Sequence, residues 1–206
     1  MQWHILERSD SHAIITKIID GDDSGLFTPA TSEVKCLDIP FYSEFKLYRI
    51  TNYASMPSFS FDYLGNEEIF HRLDGTPDPI YAVNISDTVQ LNAQNVLLYL
   101  DFFLTNVQAE DGDIYLVTNT QKLPFFNTMP ADQQDMLETK IINPEISYEF
   151  NLHAFVINAT LYFAGVMMNA VIQIEETGEV SVIDQTMLMT TDYHPIQETA
   201  YQTQRR

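Results

Sequence analysis

The stretch Phe150–Ile174, "FNLHAFVINATLYFAGVMMNAVIQI", decides how the rest of the chain is read. It carries no formal charge and is long enough to cross a bilayer as a helix. Three features argue for strands instead. Asn151, His153, Asn158, Asn169 and Gln173 interrupt the apolar run. Its flanks are Glu149 and Glu175–Glu176, not the Lys or Arg of a cytoplasmic boundary. Its aromatic and β-branched residues suit a pleated sheet. The stretch is expected to form strands that are apolar on both faces, as central strands are.

The neighbours extend that reading. "EETGEV" after it is a hairpin turn into "VSVIDQTMLM", so the last third reads as a meander. Upstream, "MPADQQDMLETKII" suits a short surface helix with Pro130 in its first turn. "EDGD" is a turn, and "IYLVTN" after it is a strand. The clearest helix covers Ala93–Val107, with Asn92 or Thr88 as N-cap. Val96, Leu100, Phe103 and Val107 repeat at helical spacing there, and Leu97, Tyr99, Phe102 and Leu104 widen the stripe. A helix this apolar should lie against a sheet.

The first part reads as β-rich. "HAIITKIID" is expected as a short strand ending in "DGDDSG". "SEFKLYRIT" sets Phe45 and Leu47 against Glu44 and Lys46, and "SFSFDYL" sets Phe59, Phe61 and Tyr63 against Ser60 and Asp62. A period of two marks strands of an antiparallel sheet. "HRLDGTPDPIYAVN", His71–Asn84, is read as a stiff corner that delivers another strand. The expected fold is therefore α+β: a curved, mainly antiparallel sheet with one long apolar helix packed on it. Residues 1–189 are expected to form a single α+β domain, with 1–70 extending the sheet or forming a small β-rich layer. Residues 190–206 are polar, lack an apolar period and are expected to be a mobile tail.

Composition narrows the function. The chain of 206 residues has 29 acids against 10 Lys plus Arg, a formal charge of −19. Such a surface repels nucleic-acid phosphates and anionic lipid, and favours a basic protein as partner. With 7 glycines and neither G-x-G-x-x-G nor G-x-x-x-x-G-K-[ST], no nucleotide-binding loop is expected. The single cysteine, Cys36, excludes an intramolecular disulfide and suits a reducing cytoplasm. "MQWHILERSDSH" is too polar for a secretory signal. Asn84 and Asn158 begin N-x-[ST] triplets, which carry little weight without an export signal.

Candidate sites are sparse. Around the corner, His71 would be an acid/base, Asp74 or Glu68 its orienting carboxylate, and Arg72 an anion clamp. Glu67 belongs to the same acidic group. Glu68-x-x-His71 also matches half of a di-iron carboxylate pattern, but a second copy is absent. Asp20, Asp22, Ser24 and Gly25 resemble the start of a calcium loop whose twelfth position is Thr31 where a glutamate is needed. Cys36 has Lys35 beside it, which would lower a thiol pKa, yet a buried structural thiol is the commoner fate. His153 is expected as a hydrogen-bonded core histidine. No cofactor is expected. The favoured function is a non-catalytic, cytoplasmic interaction domain, of inhibitor, immunity or adaptor type, whose acidic surface meets a cationic protein. The second is an enzyme or small-ligand binder with an aromatic pocket between helix and sheet, using His71 and Arg72. Self-association stays open.

Overall fold

The computed structural model of the chain describes residues 2–19, 25–120, 123 and 126–190. It is α+β, with two mainly antiparallel five-stranded sheets and four helices among the described residues. The chain divides into two compact units, the first ending at Asn95 and the second beginning at Val96.

The first unit holds β1 (His4–Ile5), α1 (Arg8–Ile19), β2 (Ser32–Leu37), β3 (Lys46–Asn52), β4 (Phe59–Gly65), β5 (Phe70–Arg72) and α2 (Asp78–Ser86). Its strands pair in sequence order, each antiparallel to the next. Directly paired residues share a face. Val34, Ile50 and Phe61 therefore lie on one side of the sheet, with Cys36, Tyr48 and Tyr63 beside them. That side is closed by Ile14, Ile15 and Ile18 of α1, which join these residues in one core. The other side carries Leu37, Leu47, Leu64 and His71 in one line across the strands.

Two expectations for this unit are corrected. "HAIITKIID" lies largely within helix α1, not in a strand. Ser11, Ile14, Ile15 and Ile18 are its buried residues, spaced along one helical face, and packing on the sheet outweighs the strand preference of isoleucine. "PIYAVN" is also helical. It forms the body of α2, with Pro77 at the N-cap and Pro79 in the first turn, where a missing N–H breaks no helical bond. Asp87, just past α2, ties the preceding loop down. Its carboxylate accepts bonds from Ser43 Oγ at 2.6 Å, Glu44 N at 2.8 Å and Phe45 N at 3.1 Å.

The second unit holds α3 (Val96–Asn106), β6 (Ile114–Leu116), a 3-10 turn (Phe126–Thr128), α4 (Ala131–Lys140), β7 (Glu145–Glu149), β8 (Ala154–Phe163), β9 (Val166–Glu175) and β10 (Val180–Thr190). Where a long apolar helix over Ala93–Val107 was expected, α3 is apolar but only eleven residues long, with Val96, Tyr99, Leu100 and Phe103 among its buried residues. It packs on β6. The Tyr99 hydroxyl donates to the Gly178 carbonyl at 2.7 Å, which holds the β9–β10 turn. The expected surface helix is α4, and its single buried residue is Leu137.

Residues 154–163 and 166–175 are strands, and no helix among the described residues is long and apolar enough to cross a membrane. β7 through β10 form the expected meander, with β6 and β7 sharing one edge of β8. "SYEFNLHAFVI" is not one strand, because a turn at residues 150–153 separates β7 from β8. The described strands divide between two sheets, so the first strands form a sheet of their own, the second of the two arrangements expected for residues 1–70.

Candidate functional site

β5 is a short edge strand, and its alternation separates the residues that the sequence grouped. His71 pairs with Leu64, and its ring centroid lies 6.2 Å from that of Phe45. Burial disfavours the imidazolium and lowers the His71 pKa. Arg72 pairs with Tyr63 on the opposite face, with its guanidinium 3.7 Å from the centre of the Phe61 ring. Asp74 accepts bonds from Thr76 Oγ1 at 2.7 Å and Thr76 N at 2.9 Å. These bonds hold its carboxyl below the usual range. Glu68 is 80% exposed and pairs with Lys17 of α1 at 3.1 Å. Arg72 adds a smaller lowering of the Asp74 pKa through its charge, so Arg72 and Asp74 are coupled, while His71 faces the opposite way from Arg72 and Glu68 is paired with Lys17. Gly75, at φ +91°, turns the chain after Asp74, so the corner delivers a helix rather than a strand.

Asp20 and Asp22, the calcium-loop candidates, lie outside the described residues. Among the described residues no three His, Cys, Asp or Glu side chains gather as metal ligands would.

A cleft of about 200 Å³ lies beside α1, lined in part by Asp10, Lys17, Cys36, Lys46, Tyr48 and Glu67. Sequence reasoning placed Lys35 near the thiol, but alternation along β2 puts Lys35 on the other face, 3.7 Å from Glu33. Lys46, two residues along β3 from Tyr48, the partner of Cys36, is the cation whose charge reaches Cys36. Burial outweighs it and raises the thiol pKa, and burial also raises the Tyr48 phenol. Lys46 is held protonated by Asp38 at 2.9 Å. At neutral pH the cleft therefore presents a protonated thiol, a phenol and paired charges, a set suited to hydrogen bonding rather than nucleophilic attack. A second cleft, of about 400 Å³, lies in the second unit between α3 and β6, with Asp101, Asp113, Leu104 and Leu116 in its walls. His71 and Arg72 line neither of these two clefts.

The meander presents a different surface. From Glu145 to Thr190 the chain contains no Lys or Arg, while Glu145, Glu149, Glu175, Glu176, Glu179 and Asp184 all lie there. The basic residue nearest before it, Lys140, donates to the Leu188 carbonyl at 3.1 Å. β10 is the edge strand, bonded to β9 and to no other described strand. Val182, Ile183 and Met187 on it are 49%, 52% and 64% exposed. At the β7–β8 turn Phe150 is also exposed, against Tyr148 at 4.9 Å between centroids. His153 is not a core histidine. It stands in that turn at φ +49° with its side chain 78% exposed, 3.8 Å from Glu176. The neighbouring Tyr148 hydroxyl donates to the same carboxylate.

Comparison with protein-family models, with curated proteins and with solved structures finds no match.

Proposed function

We propose that the chain is a non-catalytic interaction protein whose acidic meander receives a cationic protein partner, as inhibitor, immunity and adaptor proteins do. The observation that carries this reading is the meander itself: six carboxylates, no Lys or Arg from Glu145 to Thr190, and an edge strand with exposed apolar side chains. Carboxylates of one sign over one sheet steer a basic surface toward it, and a few apolar side chains among them give the contact its dry centre. The second reading, a ligand pocket built on His71 and Arg72, gains less support. Those two side chains face opposite ways, and each already packs on an aromatic ring.

The test is affinity capture from the source cell with the full chain and with a variant carrying Glu145→Gln, Glu149→Gln, Glu175→Gln and Glu179→Gln. A control carries four such changes in the first unit, at Glu7, Glu33, Glu44 and Glu68. A basic protein should be retained by the parent and the control and lost by the meander variant. Equal retention by all three, or an acidic partner, contradicts the proposal.

A further inference from the structure

We infer that the partner is received as an added β-strand on the open edge of β10, through an extended segment that alternates basic and apolar side chains. This rests on the charge-led reading above and adds the place and the mode of binding. β10 runs from Val180 to Thr190 and pairs with β9 alone among described strands, so outward backbone N–H and C=O groups in its middle, around residues 184–187, form a template for another strand. An edge strand long enough to template pairing is a hazard unless it is blunted or used. Proteins commonly blunt such an edge with Lys or Pro, and β10 has neither.

The side chains say which strand fits. Val182 pairs with Ile172 and Met187 with Met168, which places Val182 and Met187 on one face of the sheet. Asp184 pairs with Val171 and Thr186 with Asn169, on the other face. A strand laid about 4.8 Å from β10 would set alternate side chains on these two faces. Apolar residues would meet Val182 and Met187, and a Lys or Arg would meet Asp184. The ladder breaks register between Val182 and Asp184 and between Met187 and Met189, so Ile183 and Leu188 are bulged. The Leu188 carbonyl is already taken by Lys140. The open run is therefore short and centred on residues 184–187.

The same features disfavour a second copy of the chain as occupant. Its edge would bring another Asp184 and another set of meander carboxylates against the first. The two bulges also bend the edge away from the flat pairing that two identical long strands require.

The probe is a capped ten-residue peptide alternating lysine and valine, added to the full chain while backbone amide exchange is followed by NMR. Two further peptides are compared: the same sequence N-methylated at every second residue, and an alternating glutamate–valine peptide. The lysine–valine peptide should slow, by about tenfold, exchange of those β10 amides that are not bonded to β9. N-methylation should weaken its binding about tenfold, equivalent to 1.4 kcal/mol. The glutamate peptide should not bind, and Asp184→Lys, at an exposed position, should weaken the lysine peptide by a similar factor. Equal binding of the N-methylated peptide overturns the inference. So does slow exchange of the same amides in the free chain, because the edge would then be covered already. Salt-sensitive binding without slowed β10 exchange overturns strand addition and leaves the charge-led reading standing. Failure of both basic peptides to bind at low salt overturns both.

Discussion

The guanidinium of Arg72 rests 3.7 Å from the centre of the Phe61 ring, across the sheet from the side that His71 occupies. The ring contact gives the arginine a structural role beside its charge interaction with Asp74. A cation over an aromatic face is worth roughly 0.5–2 kcal/mol, and an arginine's aliphatic stem can cover apolar surface besides. Arg72→Ala should lower stability by about 1 kcal/mol, within that range, while Arg72→Met, which keeps an aliphatic stem, should lose less. Urea denaturation of the two variants measures the difference. Equal losses would point to charge alone.

His71 gives the protein a pH dependence with a definite sign. Its folded pKa lies below the ordinary histidine value of 6.5, because burial disfavours the charged ring. Above 6.5 both folded and unfolded chains hold it neutral and its contribution is complete. As pH falls through 6.5 the unfolded chain takes the proton first, so stability declines until the folded pKa is passed. His71→Leu should flatten that decline between pH 7 and pH 5, as read from the urea midpoint at each pH. An unchanged slope would place the dependence elsewhere.

Asp87 behaves in the opposite sense. Burial raises its pKa, but the bonds from Ser43 and from the backbone of Glu44 and Phe45 together lower it below the ordinary aspartate value of 3.8. Its contribution is present above that value and is lost as pH falls through the lower folded pKa. Asp87→Ala should cost about 2 kcal/mol at neutral pH, the scale of hydrogen bonds to a charged group. The gap between parent and variant should narrow as pH falls below the ordinary aspartate range, which acid titration followed by circular dichroism would show.

The second unit is legible in the sequence where local pattern and tertiary packing agree. α3 announces itself by Val96, Leu100 and Phe103 at helical spacing, and the β9–β10 hairpin by its Gly178 turn. The first unit misleads where they disagree. Isoleucines at 14, 15 and 18 suggest a strand by type, yet with Ser11 they trace one face of a helix, and that spacing is the signal to follow. α2 is short, and prolines at 77 and 79 suggest extended chain unless they are read as belonging to the start of a helix. Site residues are harder still. The proximity of Lys46 and Tyr48 to Cys36 depends on strand register, and Cys36 meets Tyr48 only because β2 and β3 pair as they do. Likewise "VSVIDQTMLM" reads as a strand, but nothing in its own residues says that it lies at an edge.

Tyr99 links α3 to the turn that presents β10. Its side chain is fully buried and its hydroxyl bonds the Gly178 carbonyl. Tyr99→Phe should cost about 1 kcal/mol, as for a neutral buried hydrogen bond, and should speed amide exchange at the β9–β10 turn more than in the first unit. Uniformly faster exchange would mean that the bond does not act locally.

The central claim is that charge on the meander brings the partner in. Its most direct test is the association rate of the captured partner with the full chain, measured between about 50 mM and about 500 mM salt, a range over which the screening length shrinks severalfold. The rate should fall about tenfold or more across that range, with dissociation changing much less, because steering acts at long range and the short contacts do not. The variant with four meander glutamates neutralised should start lower and fall less. A rate that stays flat with salt, or a variant that associates as fast as the parent, would contradict the account.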